Sequence, residues 1–193
     1  MEKNKIRKFL LEKGHALSEE FISNSNKAIQ VAALESLDIS HIKNILLYSP
    51  FRKEVRLDLL LKELNKTSTN IYLPKVLPNK NMCFNLLEES SYIKKNKYGI
   101  SEVINKNYLD ASEFDVMIIP FVGVDSNGLR LGYGSGYFDR ALENIKDFTK
   151  RPLLVGLGYE YQVADEAYGE EHDLKYDLVI TETDIHGYAK SIK

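Results

Sequence analysis

The 193-residue chain has one cysteine, no tryptophan and five prolines, and neither sign of charge prevails in it. The single cysteine, Cys83, excludes an internal disulfide and a cysteine-based metal cluster. The formal net charge of -2 gives no electrostatic reason to expect a nucleic acid or an anionic membrane as a partner. No apolar run approaches the ~20 residues that a bilayer-spanning helix needs.

Residues 1–8 are charged and have no apolar core or small-residue cleavage site, so we expect no secretory leader. Hydrophobic residues make up 44% and charged residues 28%, which is typical of an ordinary soluble globular protein. We therefore expect one domain spanning residues 1–193, acting as a monomer in the cytoplasm, where a lone thiol stays reduced.

Hydrophobic periodicity predicts helices alternating with strands. Helices are predicted at residues 3–13, ended by Gly14, at 18–37 with Ser18 as the cap, at 54–64 opened by Glu54, and at 137–145. Strands are predicted at residues 44–48, 70–73 stopped by Pro74, 82–86, 115–121, 151–158 and 176–180. The alternation predicts an α/β fold, and we expect a single-domain, three-layer α/β/α arrangement with a mostly parallel central sheet.

The most informative segment is residues 130–140, Arg-Leu-Gly-Tyr-Gly-Ser-Gly-Tyr-Phe-Asp-Arg. It follows the clearest predicted strand and opens a predicted helix, so free N–H groups of a glycine loop would suit phosphate at the carboxyl end of a sheet. Arg130 supplies a cation before the loop, and Asp139 follows where it could hold a metal ion bridging to phosphate oxygens.

Known phosphate-binding loops do not match this segment. The P-loop pattern is absent, and a dinucleotide-binding fingerprint would need its third glycine one residue later and near the start of a domain. A kinase glycine loop would require a His-Arg-Asp motif that the chain lacks. Alternating glycines by themselves are also compatible with a plain turn.

Residues 130–140, preceded by the segment 120–125 and Gly128, resemble the signature of the 5-formyltetrahydrofolate cyclo-ligase family. Weaker similarities extend over nearly the whole chain, including Tyr98-Gly99-Ile100 with Glu102. The resemblance implies an enzyme that uses ATP and Mg²⁺ to convert 5-formyltetrahydrofolate to 5,10-methenyltetrahydrofolate, ADP and phosphate. The formyl oxygen would be phosphorylated and N10 would then close the ring.

The resemblance also implies roles for individual residues. Catalytic roles fall to Arg130 and Asp139, and metal contacts to Asp139 and Asp173. ATP contacts fall to Lys3, Arg7, Arg130, Leu131, Gly132, Tyr133, Gly134, Ser135, Gly136, Tyr137 and Phe138. Folate contacts fall to Ser49, Glu54, Tyr133, Gly134, Ser135, Gly136 and Tyr137.

Taken without the resemblance, the same residues have ordinary alternatives. Lys3 and Arg7, at i and i+4 of a helix, could form a solvated basic face. Arg130 could pair with a nearby acid, while Glu54 and Asp139 could be acids in first helical turns.

Four further side chains have similar alternatives. Tyr133 and Tyr137 could be ordinary aromatic packing. Asp173 could be a surface acid of a loop, and we expect His172 to be a surface residue too.

Departures from the family pattern leave other functions open. They are Ser135 and Phe138 in the glycine segment, Phe121 after the proline, and Val103 after Glu102. One alternative is a paralogue that uses ATP on another formyl- or carboxyl-bearing substrate, and a second is a non-catalytic protein that binds folate or nucleotide.

Overall fold

The protein is described here by a computed structural model of residues 3–188. Its helices are α1 Lys3–His15, α2 Glu19–Ser36, α3 Asp58–Leu64 and α4 Tyr137–Ala141. Its strands are β1 Asn44–Leu46, β2 Asn70–Val76, β3 Met82–Leu86, β4 Ile93–Lys95, β5 Ser101–Val103, β6 Tyr108–Leu109, β7 Val116–Ile119, β8 Gly123–Val124, β9 Arg130–Leu131, β10 Leu153–Leu157, β11 Leu178–Ile180 and β12 Ile185–Gly187. Within residues 3–188, no helix combines the length and apolarity needed to cross a membrane.

Eight strands form the central sheet in the order β12-β11-β10-β7-β1-β2-β3-β6. The five strands β11, β10, β7, β1 and β2 run parallel, and antiparallel strands close both edges. At the centre, Ile45 of β1 stands opposite Ile71 of β2 and Val116 of β7. The predicted α/β fold with a mostly parallel sheet is confirmed.

Both faces of the sheet are covered, because successive residues of the central strands point to opposite sides. Val116 and Ile118 of β7 join the core beneath α2 and α3, whereas Met117 and Ile119 join the core beneath α4. This gives the three layers expected from the sequence. A third cluster packs α1 against the hairpin β8–β9, through residues such as Leu10 of α1 and Leu131 of β9.

The predicted N-terminal helices are confirmed with small changes at their ends. The Oγ atom of Ser18 accepts the N–H of Phe21 at 3.1 Å and caps α2, which ends before Leu37. Gly14 does not end α1 but lies in its last turn. A Cβ atom at that position would lie 2.7 Å from the hydroxyl of Tyr161, so the glycine permits a close contact.

The prediction that Glu54 opens a helix is wrong, since α3 begins at Asp58. The Glu54 carboxylate instead accepts the N–H of Phe51 at 2.7 Å within a turn. The N–H groups of Arg56 and Leu59 after that turn are bound by amide side chains of α2 at 2.8 Å. These contacts with α2 hold the segment after Glu54 in a non-helical conformation, so α3 begins only at Asp58.

Pro74 does not stop β2, which continues to Val76. The N–H of Val76 points away from β3 and reaches the carboxylate of Glu102 at 2.8 Å. The ring nitrogen of Pro74, two residues earlier, faces the same side, where β1 has already ended. The Leu47 N–H bonds to the Tyr72 carbonyl, and the next bond of this parallel ladder would need an N–H at residue 74, so Pro74 ends the pairing with β1 while β2 continues along β3.

The helix predicted at 137–145 is shorter, because α4 covers five residues and a separate 3-10 turn follows at Ile145–Asp147. Strands β4, β5 and β6, in the weakly patterned segment 90–110, were not predicted. The same is true of β8, β9 and β12, which have two or three residues each.

Candidate functional site

Two cavities meet at the carboxyl ends of the parallel strands. Their shared wall is the segment of residues 132–136, called the glycine loop below, together with Arg130. The apolar cavity, of about 380 Å³, is lined mainly by the segments after β1 and β7, the hairpin β4–β5 and the inner side of the glycine loop. The charged pocket, of about 470 Å³, lies between α1, the outer side of the loop and residues 170–173.

The glycine loop is held in place by two arginines. Gly134 and Gly136 have φ angles of 95° and 66°, in the left-handed region that glycine adopts most easily. The carbonyl oxygen of Gly132 accepts a hydrogen bond from Nε of Arg7 at 2.7 Å. The carbonyl oxygen of Ser135 accepts one from Arg140 at 2.7 Å. The loop is thus anchored from α1 on one side and from α4 on the other.

Arg130 is fixed between the two cavities with only 7% of its surface exposed. Its Nε donates to the carbonyl oxygen of Pro120 at 2.8 Å, and its Nη1 lies 3.3 Å from the Asp139 carboxylate. Its guanidinium also lies over the ring of Phe138, at 5.4 Å from the centroid. A Cβ atom on Gly132 would lie 2.6 Å from Nη1, so glycine leaves the room that the guanidinium occupies. The pairing with an acid that the sequence left open is therefore present.

The two α1 cations, Lys3 and Arg7, are bound to other groups of the protein and do not form a solvated basic face. The Lys3 ammonium lies 2.6 Å from Asp173 and 3.2 Å from Glu170. Although burial acts in the opposite direction, hydrogen bonds and charges of these two acids raise the pKa of Lys3. Asp173 is not a free surface acid either, since its side chain is 12% exposed.

Asp139 and Asp173, the predicted metal contacts, both line the charged pocket. Within residues 3–188, no group of three or more His, Cys, Asp or Glu side chains gathers as a metal site. Two carboxylates suit Mg²⁺, which commonly takes one or two of them and completes its shell with water and phosphate oxygens. The donor set therefore fits Mg²⁺ bound together with a phosphate-bearing ligand.

Glu54 places a carboxyl group in the apolar cavity. Burial raises its pKa to about 7, against the opposing effects of the Phe51 N–H and the charge of Arg130. Near neutral pH this group can exchange a proton. Tyr133 lies nearby with its ring edge-on to Phe51, at a centroid distance of 5.8 Å. Burial also raises the pKa of Tyr133, so its phenol stays protonated.

Ser49 and Tyr137 connect the cavity to the hairpin β4–β5. The Ser49 hydroxyl donates to the carbonyl oxygen of Ser101 at 2.8 Å, which leaves its lone pairs for another donor. The Tyr137 hydroxyl lies 3.4 Å from that of Tyr98, and the two rings meet edge-on. The hairpin and the first residue of α4 thus touch across the cavity.

The remaining predicted residues differ in how far their side chains are buried. The side chain of Leu131 is 2% exposed and packs against Leu10, so its main chain is what borders the charged pocket. Phe138 is buried and supports Arg130 as described above. His172 has a 73% exposed side chain, as expected of a surface residue.

Several residues at the site were not predicted. They are Phe51, Arg52, Asn96, Tyr98, Glu102 and Arg140. A signal for the hairpin is present, because an Asn and a Gly three residues apart stand between two short segments with apolar residues in 93–103. For Arg140 the signal is its position four residues after Gly136, at the end of the glycine segment.

A sequence model described as the 5-formyltetrahydrofolate cyclo-ligase family matches residues 1–182. The 5-formyltetrahydrofolate cyclo-ligase of Haemophilus influenzae is 30% identical over 161 residues, which are 81% of this chain and 85% of that protein. The enzyme of the same name from Mycoplasma pneumoniae is 28% identical over 184 residues, covering 94% of this chain and 99% of that one.

Two solved structures have the same architecture. The 5,10-methenyltetrahydrofolate synthetase of Mycoplasma pneumoniae matches with a TM-score of 0.78 and 28% identity, covering 94% of this chain and 99% of that chain. The synthetase of Aquifex aeolicus, solved by NMR, matches with a TM-score of 0.83 and 28% identity, covering 100% of this chain and 97% of that chain.

Proposed function

Because the chain belongs to the 5-formyltetrahydrofolate cyclo-ligase family, we propose that it cyclises 5-formyltetrahydrofolate with ATP at the shared wall of the two cavities. In this proposal the phosphates of ATP occupy the charged pocket, and the pterin occupies the apolar cavity. The observation that carries it is the position of Arg130 and Gly132, which border both cavities. A phosphate on one side and a formyl group on the other would then be neighbours.

On the ATP side, Lys3, Arg7 and Arg130 are the cations that bind phosphate. Arginine forms charge-assisted and often bidentate bonds to phosphate, so the part of the Arg130 fork that is not engaged suits it. Main-chain groups of residues 131–138 complete the contact. Asp139 and Asp173 would hold Mg²⁺, which neutralises charge on the phosphates when it is bound.

On the folate side, the Glu54 carboxyl accepts hydrogen bonds from N–H groups of the pterin. The free lone pairs of Ser49 provide a weaker contact of the same kind. The rings of Tyr133 and Tyr137 pack against the flat pterin, and main-chain groups of Gly134, Ser135 and Gly136 add to the contact. The apolar walls exclude water, which strengthens each polar contact.

The reaction then has two steps. The formyl oxygen attacks the γ-phosphorus of ATP, and ADP leaves. N10 next attacks the activated formyl carbon and loses its proton, the ring closes, and phosphate leaves with the former formyl oxygen. Arg130 stabilises the charge on the transferring group and Asp139 keeps Arg130 oriented, so positioning and charge neutralisation provide the catalysis. We propose that the enzyme acts as a cytoplasmic monomer.

A spectrophotometric assay tests this function. Purified protein is mixed with MgATP and 5-formyltetrahydrofolate, and the near-ultraviolet band of the methenyl product is followed. We expect a rise that requires ATP, metal and folate together. A flat trace at high enzyme concentration, with ATP binding still measurable, would contradict the function and favour a paralogue or a non-catalytic binder.

A further inference from the structure

Asp125 is a buried acid at the end of the segment 120–125, and it has no part in the reaction described above. None of its surface is exposed, and it lines neither of the two cavities. Within residues 3–188, no Lys, Arg or His nitrogen lies within 4.0 Å of its carboxylate. A buried carboxylate without a cation must be satisfied by other hydrogen-bond donors.

Four main-chain N–H groups provide these donors, two for each oxygen of Asp125. The Oδ1 atom accepts the N–H of Asn127 at 2.9 Å and of Leu129 at 2.8 Å, within the turn between β8 and β9. The Oδ2 atom accepts the N–H of Tyr168 at 3.1 Å and of Gly169 at 2.9 Å. One side chain therefore joins its own turn to a segment 43 and 44 residues further along the chain.

The segment 168–173 leads into one wall of the charged pocket. Its last four residues form a turn, in which the N–H of Glu170 donates to the Asp173 carboxylate at 2.6 Å and the N–H of Asp173 to the carbonyl oxygen of Glu170 at 2.9 Å. Both acids contact the ammonium of Lys3. Because this turn follows directly on Gly169, the bonds to Oδ2 fix where it begins.

Close packing restricts the same point of the segment. A Cβ atom on Gly169 would lie 2.4 Å from Cβ of Leu129 and 3.1 Å from Oδ2 of Asp125, so glycine permits the close approach. Tyr168 packs in the cluster that joins α1 to the hairpin β8–β9. Within residues 3–188 its buried hydroxyl has no hydrogen-bond partner, so the polar contact of Tyr168 with the hairpin is made by its main chain.

Other main-chain bonds attach the two ends of the longer segment 164–174 to the hairpin. The N–H of Ala164 donates to the carbonyl oxygen of Val124 at 2.9 Å, and the N–H of Arg130 donates to that of Leu174 at 2.8 Å. In the described part of the chain, residues 167–173 have no hydrogen bond to the hairpin besides the two on Oδ2. Loss of these two bonds would therefore release the turn 170–173 while both ends of the segment stay attached.

We propose that Asp125 is a positioning residue of the charged pocket: its carboxylate places the turn 170–173 and thereby sets the affinity for the phosphates of ATP bound with Mg²⁺. The inference rests on the proposed function, in which Asp173 and Asp139 contact the metal. A turn that moves takes the Asp173 carboxylate away from Asp139. The apolar cavity is lined by other segments, so the affinity for the folate does not depend on Asp125.

Asp125→Asn tests this role, because an amide has one oxygen for the four N–H groups. We expect that oxygen to stay with the turn at residues 125–129, since asparagine is common in such turns. The NH₂ group then faces the N–H groups of Tyr168 and Gly169, and that contact is lost. In steady-state kinetics KM for ATP should rise about tenfold, as for one lost hydrogen bond to a charged group, while KM for the folate stays unchanged.

Gly169→Ala disturbs the same contact but keeps the carboxylate, because its Cβ atom would push the segment away from Leu129. It should also raise KM for ATP and not KM for the folate. Asp115→Asn is the matched control, since Asp115 likewise accepts two main-chain N–H groups, those of Lys43 and Asn44, but at the amino end of β7. It should change neither KM.

Calorimetry with Mg²⁺ and the non-hydrolysable analogue β,γ-imido-ATP separates the positioning role from the proposed function. If the wild type makes no methenyl product but binds the analogue, and Asp125→Asn and Gly169→Ala weaken that binding whereas Asp115→Asn does not, the function is contradicted and the positioning role is supported. If Asp125→Asn does not fold, Gly169→Ala alone decides. Wild-type affinity for the analogue in the folded variants, or KM values for ATP and folate that rise together, would overturn the positioning role.

Discussion

The two cavities differ in the partners that their charged side chains have. In the charged pocket, two of the cations already lie beside acids, Lys3 on Asp173 and Arg130 near Asp139. In the apolar cavity, the Glu54 carboxyl is buried with the N–H of Phe51 as its close partner, and its pKa rises to about 7. The charged pocket suits a ligand with many charges, because charged groups of the ligand can replace the present partners of the protein side chains. The apolar cavity suits a ligand that offers hydrogen-bond donors to one tuned carboxyl group.

The position of the glycine loop between the two cavities has a physical reason. Arg130 has five N–H donors, and its contacts with Pro120 and Asp139 leave part of the fork free. Because Gly132 has no side chain, the guanidinium remains next to the loop, where it borders both cavities. One fixed cation can therefore act on a group that passes from one cavity to the other.

The largest effect is expected from Asp139→Ala in the charged pocket. Loss of this carboxylate leaves the nearly buried Arg130 without its acidic partner and removes a proposed metal contact. We expect the turnover number to fall at least ~10³-fold, in line with the loss of a preorganised electrostatic group, while circular dichroism shows the fold retained.

Asp147→Ala is the matched control for that variant, because Asp147 is exposed and lines neither cavity. Wild-type turnover by Asp139→Ala would remove Asp139 from the site. It would also break the comparison, since the matched charges would then have no part in the reaction.

A smaller effect is expected from Glu54→Gln in the apolar cavity. The amide keeps the size of the side chain and can still accept the N–H of Phe51, but it is a weaker acceptor for the pterin. We expect KM for the folate to rise about tenfold and KM for ATP to change much less, because a charged acceptor contributes about 1–2 kcal/mol more than a neutral one. Steady-state kinetics with each substrate varied measures both values. The opposite order would place Glu54 outside the folate contact.

The same variant is also expected to change the stability of the fold. Since burial raises the folded-state pKa of Glu54 to about 7 from its usual value of 4.5, the folded chain holds this proton more tightly than the unfolded one. The stability of the wild type should therefore fall as pH rises between these two values and then level off. Above pH 7.5, Glu54→Gln should be more stable than the wild type by about 3 kcal/mol.

Urea unfolding at pH 5 and pH 8 measures this difference, with the exposed Glu35→Gln of α2 as control. An equal effect of Glu54→Gln at both pH values would show that the Glu54 carboxyl is not desolvated. The contrast between the two cavities would then be lost.

Much of this arrangement could be predicted from the sequence, because local patterns carry it. The glycine segment, the basic residues of α1 and the alternation of helices and strands are all local features, and the sheet and three layers followed from them. Contacts between distant segments could not be predicted. The pairing of Lys3 with Asp173 joins residues 170 positions apart.

The errors have physical causes of the same kind. The turn at Glu54 is held by amide groups of α2, so helix propensity did not decide where α3 begins. The hairpin β4–β5 has three-residue strands, and β4 is exposed throughout, so it lacks the alternation that predicts a strand. The hairpin therefore became visible only in the folded chain.

The most direct test of a shared reaction centre at the glycine loop is to follow the formyl oxygen. 5-Formyltetrahydrofolate labelled with ¹⁸O in the formyl group is converted with unlabelled ATP, and the released phosphate is analysed by mass spectrometry. If the formyl oxygen is phosphorylated before N10 closes the ring, each phosphate carries one ¹⁸O atom. Formation of the methenyl product with unlabelled phosphate would contradict transfer between the two cavities.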